Sequence, residues 1–264
     1  HTSRNPRFGG SRYTGEPDKE IVDFRNNVIY NWAGNSVYGG EGGNYNMVNN
    51  YYKAGPATPG NLTTSSSSNK RNRILNYTSY YFGTDAAIYP DTVWGGKFYI
   101  EGNYVAGYPD VTVDNWTKGV QKDSYSKAAE LIASARLDDP VSTPPVTTQT
   151  AEEAYVSVLH DVGATLPKRD TIDKRIIQEA ETGTATYEGS TYAAVTSTGV
   201  SHPSGIIDSQ ADVGGIPGYN ATTPPADSDQ DGIPDDWETD NGLDPQNAAD
   251  GATIGAEGYS NLES

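Results

Sequence analysis

The sequence predicts a mainly β fold: a solenoid of short strands stacked coil on coil, followed by helices and an acidic tail. Hydrophobic residues make up 34% of the chain, which also contains 29 glycines and 19 tyrosines. This composition favours turns and strands over a helical bundle. In addition, three segments repeat one pattern, in which alternating apolar residues lead into an asparagine that aromatic or β-branched residues follow. Such repetition is typical of stacked coils.

The three repeats place Asn27, Asn50 and Asn103 at the same point of the pattern, and the first two lie 23 residues apart. A period in the twenties indicates a solenoid, in which each coil buries its inner face against its neighbours. We expect the asparagines to stack at one corner and to form hydrogen bonds along the stack, which would satisfy buried turn amides. The alternative is an antiparallel sandwich with asparagine in its hairpin turns, which the recurrence of asparagine after each strand disfavours.

Three regions are expected along the chain. Residues 1–116 form the solenoid coils, residues 117–223 form a helical and loop extension packed on the solenoid, and residues 224–264 form the acidic tail. The extension is expected to cover an exposed flank or end of the coils, because an uncovered solenoid end leaves strand edges unpaired.

The extension contains three predicted helices. Apolar residues at helical spacing predict the first over 122–137. Thr150 and Glu153 have the spacing of a capping box at the start of the second, and the third covers 170–181 with Gly183 as its stop.

The first twelve residues form a basic segment within an acidic chain. Arg4, Arg7 and Arg12 lie here without any carboxylate, whereas the whole chain has a formal charge of -17. Pro6 restricts the backbone between the first two arginines, and guanidinium groups held on a stiff backbone suit planar anions such as carboxylates. The alternative is that these arginines are only solvated surface residues.

Charge and composition also exclude several classes of function. The tail from Asp227 to Ser264 has eleven acidic residues and no lysine or arginine, a distribution that argues against nucleic acid and favours cations as partners. The chain has no run of about 18 apolar residues, so no membrane partner is expected. With no cysteine and only three histidines, thiol chemistry is excluded and no histidine-based catalytic set is indicated. A glycosidase with two scattered carboxylates stays possible.

One segment of the tail has the spacing of a calcium-binding loop, residues 227–238. Acidic side chains occupy positions 1, 3, 5, 9 and 12 of this loop: Asp227, Asp229, Asp231, Asp235 and Glu238. Gly232 occupies position 6, where a sharp turn is needed, and Ile233 offers its backbone carbonyl at position 7. The loop therefore predicts a Ca²⁺ site that stabilises a C-terminal module, and the alternative is a solvated acidic tail.

A second calcium site in the tail is left open by the sequence. Oxygen-bearing side chains continue beyond the loop: Asp244, Asn247, Asp250, Asn261 and Glu263. Their spacing matches no known loop, so the sequence alone does not predict how they are used.

The motifs as a set resemble pectate lyase family 1. The segments that carry the resemblance are 1–8, 22–32, 49–56, 98–107, 163–170 and the calcium loop. They are similar to the later coils of the right-handed parallel β-helix of the bacterial secreted type, which carries a C-terminal calcium-binding loop. The resemblance implies that residues 1–116 are C-terminal coils of such a helix. Since the chain opens at His1 directly on a motif, we expect it to be a processed or cut piece of a secreted, monomeric protein.

The resemblance also implies roles for the basic segment. In the family, the first arginine of Arg-x-Pro-Arg removes the C5 proton of a galacturonate, which assigns Arg4 as the base and Arg7 as a substrate or structural arginine. A further family arginine falls on Gly9 here, so Arg12 is the expected substitute for substrate binding. The ligands of the catalytic calcium lie upstream of the motif in the family and are absent from this chain.

The function predicted from the resemblance is the C-terminal portion of a calcium-dependent pectate lyase that cleaves polygalacturonate by β-elimination. Because an arginine base has a pKa far above neutral, an alkaline optimum is expected. The alternative is a non-catalytic β-solenoid that binds acidic plant polysaccharide through Arg4, Arg7 and aromatic residues on its flank.

Overall fold

A computed structural model describes residues 1–10, 16, 18–81, 93–122, 128–166, 168–194, 199–218 and 222–264. The chain divides into two compact units, His1–Ile216 and Pro217–Ser264. Within the described residues, no helix combines the length and apolar character that crossing a bilayer requires.

The first unit contains twelve described strands. In chain order they are β1 (Arg7–Phe8), β2 (Ile21–Arg25), β3 (Val28–Tyr30), β4 (Val37–Gly39), β5 (Asn44–Val48), β6 (Tyr51–Lys53), β7 (Leu75–Tyr77), β8 (Ser79–Tyr81), β9 (Val93–Gly95), β10 (Lys97–Glu101), β11 (Tyr104–Val105) and β12 (Val120–Lys122). The helices of both units are α1 (Pro109–Val113), α2 (Asn115–Gly119), α3 (Ala128–Leu131), α4 (Ala151–Asp161), α5 (Thr171–Thr182), α6 (Ser190–Ala194) and α7 (Asp235–Asn241).

Three parallel sheets run through the stacked coils. Sheet A has the order β1-β4-β7-β12, sheet B has the order β10-β5-β2, and sheet C has the order β11-β6-β3. The strands β1 to β7 visit sheets A, B and C in turn, and β10 to β12 continue this order after β8 and β9. Each strand of these three sheets pairs in parallel with its counterpart in a neighbouring coil. This arrangement fits a parallel β-helix and excludes the sandwich alternative, since among the described strands only β8 and β9 pair antiparallel. The handedness and the three-region division stay predictions.

The interior of the coils is filled by aromatic rings that stack along the solenoid. Tyr45 lies between Phe8 and Phe98, with ring centroids 4.5 and 4.8 Å apart. Trp32 and Tyr52 are fully buried beside them and meet edge to face. Because strand side chains alternate between faces, one side of each strand supplies this core and the other side faces outward.

An asparagine ladder stands at the turn between sheets B and C, as the repeats predict. The Asn27 amide nitrogen donates to Oδ1 of Asn50 at 2.9 Å, and the Asn50 amide donates in turn to Oδ1 of Asn103 at 2.9 Å. Each acceptor also takes the backbone N–H of the asparagine that precedes it, at 3.0 Å in both steps. Asn115, at the start of α2, ends the ladder by accepting from the Asn103 N–H at 2.8 Å. The predicted stacking is confirmed, and Asn115 is a member that the strand pattern does not reveal.

The second and third predicted helices are confirmed as α4 and α5. Thr150 and Glu153 form the reciprocal capping box ahead of α4, and the backbone and hydroxyl hydrogen bonds from Thr150 lower the pKa of Glu153. Gly183 ends α5 in the left-handed conformation. Tyr155 of α4 stacks on Tyr51 of β6 at 4.2 Å, so this helix lies against sheet C.

The prediction of one helix over 122–137 is wrong. Only α3 and a short 3₁₀ turn at 132–134 are helical, while residues 123–127 lie outside the described part of the chain. Phe98 donates its N–H to the Ala135 carbonyl at 2.7 Å, and the Leu137 N–H donates to the Phe98 carbonyl at 2.9 Å. The segment therefore leaves the helix because it extends sheet B beyond β10, where a strand edge would otherwise stay unpaired.

Removing one rung of the ladder is expected to destabilise the coils. Asn50→Ala leaves the Asn27 N–H and the Phe24 carbonyl without their buried partner, which should cost about 2–4 kcal/mol of the free energy of unfolding. The matched control is Asn44→Ala on the same strand, whose amide reaches only Asp18 at 3.4 and 3.5 Å. Urea unfolding followed by far-ultraviolet circular dichroism measures both changes. Equal midpoints for the two variants would contradict a stabilising ladder.

Candidate functional site

The basic segment enters the fold at the outer strand of sheet A. Register aligns Arg7 with Tyr38 and then with Asn76 in the following coils. The next residue, Phe8, is 5% exposed and belongs to the core. Because side chains alternate, this row of three faces away from the core and forms the outer surface of sheet A.

Arg7 is held by a buried carboxylate. Its Nη2 atom lies 3.2 Å from both carboxylate oxygens of Glu41, and its Nη1 donates to the Phe8 carbonyl at 3.0 Å. The Glu41 side chain is 1% exposed, and the Arg7 guanidinium also lies over the Tyr38 ring at 5.6 Å. The basic segment has no carboxylate in its own sequence, but the fold places the Glu41 carboxylate of the next coil beside Arg7.

Arg12 lies outside the described residues, so its substrate role stays a prediction.

Arg4 differs from Arg7 because its side chain is exposed. Its φ of 66° is in the left-handed region, which costs a non-glycine residue about 1–2 kcal/mol. The turn is fixed next to it: the Asn5 N–H donates to the Ser36 carbonyl at 3.1 Å, and the Asn5 amide donates to the Asn35 carbonyl at 3.0 Å. Among the residues that the structure describes, none forms a hydrogen bond or ion pair with the Arg4 guanidinium. An anchored turn therefore presents a cation that has no partner within the described fold.

A cavity of about 630 Å³ lies beside Arg4. Arg4 and β3 line one part of it, and Val158 of α4 and Ile177 of α5 line another. Arg175 also lines the cavity, but its guanidinium is paired with Glu179 at 3.1 and 3.2 Å. Arg4 thus places a guanidinium that is unpaired within the described fold at the edge of a largely apolar cleft.

A buried arginine on the same side of sheet A was not predicted from the sequence. Arg73 is 8% exposed, and its Nε donates to Oε1 of Gln121 at 2.8 Å. Its Nη1 donates to Oδ1 of Asn35 at 2.8 Å, so one asparagine contacts both this residue and the turn that holds Arg4. Burial lowers the pKa of Arg73 to about 10. The basic run at residues 70–73 was the only sequence signal that pointed to this position.

The tail unit brings the acidic side chains of the predicted calcium loop together. One oxygen from each of Asp227, Asp229 and Asp231 lies within 4.8 Å of the others. Backbone N–H groups orient these carboxylates: those of Gln230 and Gly232 donate to Asp227, that of Asp231 to Asp229, and that of Ile233 to Asp231. The geometry matches an oxygen-lined loop that closes on one ion.

The other three predicted ligands have different surroundings. Asp235 accepts hydrogen bonds from the Ser228 N–H and hydroxyl at 2.7 Å each, and these bonds join the beginning of the loop to its later part. Ile233 is 4% exposed, and Glu238 is fully buried in α7 with neither carboxylate oxygen hydrogen-bonded. Burial first, then the nearby aspartates, raises the pKa of Glu238 to about 7. Burial also raises the pKa of Asp229.

The unpaired carboxylate oxygens of Glu238 suit a hard divalent cation. Carboxylates are rarely buried without a compensating charge, because the loss of hydration is expensive. An all-oxygen donor set at this spacing suits Ca²⁺. The donors present therefore match the ion that the loop spacing predicts.

The residues beyond the loop do not form a separate acidic cluster in the described tail. Asp244 accepts from the Gln246 N–H at 3.2 Å, and Glu263 accepts from Ser260 in a capping arrangement. Asp250 instead groups with residues of the loop, and its carbonyl accepts from the Asn261 amide at 2.8 Å.

The chain matches no protein-family model. It is 30% identical over 266 residues to "Probable pectate lyase C" of Aspergillus terreus, covering 99% of this chain and 49% of the relative. Proteins of the same name are 29% identical over 262 residues in Emericella nidulans, with 99% and 48% covered, and 27% identical over 265 residues in Aspergillus flavus, with 99% and 49% covered. The chain therefore spans about half the length of the curated relatives it matches. These similarities support a pectate lyase family, and since the relatives are fungal, the predicted bacterial type is not confirmed.

The two arginines are expected to respond differently to truncation. Arg7→Ala leaves the buried Glu41 carboxylate without its guanidinium and should lower the free energy of unfolding by about 3 kcal/mol. Arg4→Ala, at an exposed position, should change it by less than about 0.5 kcal/mol. Thermal unfolding of both variants checks the difference. A larger loss for Arg4→Ala would show that its role is structural.

Calcium is expected to stabilise the tail. The loop should bind Ca²⁺ measurably by isothermal titration, and an excess of about 100-fold over the Kd should add about 2.7 kcal/mol to the stability of this unit. Asp227→Ala and Glu238→Ala each remove a predicted ligand and should abolish the heat signal. Binding that persists unchanged in both variants would contradict the assignment.

Proposed function

We propose that this chain is the C-terminal portion of a secreted, calcium-dependent pectate lyase that cleaves polygalacturonate by β-elimination. The observation that carries the proposal is the exposed Arg4 guanidinium, held on an anchored left-handed turn beside a cleft. Similarity to proteins named probable pectate lyase C over 99% of the chain supports the substrate class.

The proposed reaction assigns the proton transfer to Arg4. A neutral Arg4 guanidine takes the C5 proton of a galacturonate residue, and the electron pair of that C–H bond forms the C4–C5 double bond. The C4–O bond breaks, and the departing oxygen takes a proton to become the new chain end. A base placed on a fixed turn contributes by position as well as by basicity.

Stabilising the negative charge that develops in this reaction is a larger requirement than accepting the proton. The C5 proton is weakly acidic, and negative charge develops on the adjacent carboxylate as the proton leaves. A catalytic Ca²⁺ would neutralise that carboxylate. The described residues around Arg4 do not supply a cluster of acidic ligands, since the acidic clusters of the described chain lie in the tail. In the proposal those ligands belong to upstream coils, and this chain supplies the base.

Arg7 is proposed to act mainly on the structure of the site. Its guanidinium neutralises Glu41 and contacts Tyr38, so it fixes the outer row of sheet A three residues from Arg4. Its side chain is 15% exposed, so a small part of its surface is accessible to a uronate carboxylate. The calcium of the tail is proposed to stabilise the C-terminal unit and to take no part in the reaction.

The alternative is a non-catalytic solenoid that binds acidic polysaccharide through the same arginines. The specific observation in its favour is that the described residues lack an acidic cluster near Arg4. A polyanion could then be held by Arg4 without being cleaved.

The test uses the protein with its upstream coils, polygalacturonate and Ca²⁺, and follows the ultraviolet absorbance of the unsaturated product. Arg4→Ala should lower kcat by about 100-fold or more because it removes the base. Lys174→Ala, which removes an exposed cation from α5, is the charge-matched control and should leave the rate unchanged. The rate of the unaltered protein should rise from neutral to alkaline pH, since only a neutral guanidine accepts a proton.

Each proposal fails on a different result. Full activity in Arg4→Ala would remove Arg4 as the base while leaving a lyase. Absence of product from the unaltered protein, together with retained binding of polygalacturonate, would favour the non-catalytic alternative. A rate that falls toward alkaline pH would also contradict an arginine base.

A further inference from the structure

The acidic cluster of the tail extends beyond the loop 227–238. One oxygen each from Asp231, Glu238 and Asp250 lies within 4.8 Å of the other two. Asp250 is twelve residues past the last loop position. Two separate segments of the tail therefore place carboxylates close to one another.

Each of these three residues has at least one buried oxygen without a hydrogen-bond partner. Oδ1 of Asp250, Oδ2 of Asp231 and both oxygens of Glu238 are buried and unpaired. Glu238 as a whole residue is 0% exposed, so bulk solvent does not reach its carboxylate. A buried carboxylate without a donor points to a ligand that supplies positive charge.

The second oxygen of each aspartate is fixed by the backbone. The Asp244 N–H donates to Oδ2 of Asp250 at 2.9 Å, and the Ile233 N–H donates to Oδ1 of Asp231 at 2.8 Å. Each bond therefore fixes one oxygen of its carboxylate and leaves the other without a donor. Such outer hydrogen bonds are the usual means of aiming metal ligands.

Gly251 has no side chain, and this allows its backbone to lie close to the Asp231 carboxylate. A Cβ atom at this position would lie 2.1 Å from Oδ2 of Asp231, so a side chain there would displace the carboxylate. The same segment is tied to the C-terminal turn, because the Leu262 N–H donates to the Gly251 carbonyl at 3.0 Å. Asp250 thus lies on a segment that a main-chain hydrogen bond ties to the C-terminal turn and that packs closely on Asp231 of the loop.

The spacing within each acidic group suits a Ca²⁺ ion, and Asp231 belongs to both groups. Oxygens that each lie about 2.3–2.6 Å from one calcium are separated by no more than about 5 Å. We propose that Asp250 is a direct ligand of the calcium ion held by the loop 227–238, so that one ion joins the loop to the C-terminal segment. This inference rests on the proposed calcium site, and it replaces a second site in residues 244–263 with one shared site.

The experiment is isothermal titration of metal-free protein with Ca²⁺ alone. The unaltered chain should bind one ion, and Asp250→Asn should weaken the Kd by about 10-fold or more because it removes a charged ligand with little change of shape. Asp240→Asn, an exposed acid on α7, makes the same change of net charge and should bind like the unaltered chain. Circular dichroism without metal verifies that each variant is folded.

A second variant tests whether close packing of Gly251 on the Asp231 carboxylate matters for binding, without removing a carboxylate. Gly251→Ala forces Oδ2 of Asp231 away and should also weaken binding, with a smaller rise of the unfolding temperature on adding Ca²⁺. If Asp250→Asn binds like Asp240→Asn, the role of Asp250 is overturned while the loop site stands, whatever the result for Gly251→Ala. Two ions in the unaltered chain, of which Asp250→Asn loses one, would also overturn it. No binding by the unaltered chain would overturn the loop site itself.

Discussion

The hydrogen bonds between stacked asparagines are the constraint on which the solenoid depends. Each coil must turn from sheet B to sheet C, and that turn would bury backbone amides without partners. The side chains of Asn50 and Asn103 accept those amides, and Asn115 closes the stack with a side chain from a helix. Because the same atoms also bond one another, the ladder fixes both the turn and the register of each coil on the next.

Register in turn decides what the outer face of sheet A presents. In a strand a shift of one residue exchanges the two faces, so the position of the coils determines that Phe8 enters the aromatic core and Arg7 faces outward. Glu41 follows from the next coil and is buried against Arg7. The exposed Arg4 lies on a turn that is anchored to the next coil, and its proposed role in proton transfer requires such a fixed position.

The two units differ in what surrounds their buried charged side chains. In the solenoid, the buried Glu41 carboxylate meets a guanidinium, and Arg73 meets neutral oxygens that act as acceptors. In the tail, Glu238 is buried among other carboxylates, and burial together with these neighbours raises its pKa. The first arrangement is complete within the chain, whereas in the second the proposed Ca²⁺ would balance the charge of the carboxylates.

Local signals in the sequence determined the repeat of the coils, the capped helices α4 and α5 and the spacing of the calcium loop, because each depends on residues that are near one another in the chain. The tertiary structure alone decided that Arg7 is paired with Glu41, that Arg73 is buried, that residues 135–137 extend sheet B and that Asp250 joins the loop. Such contacts join positions far apart in sequence, and no short-range pattern records them. They follow from how the coils and the tail segments pack, and so require the three-dimensional fold.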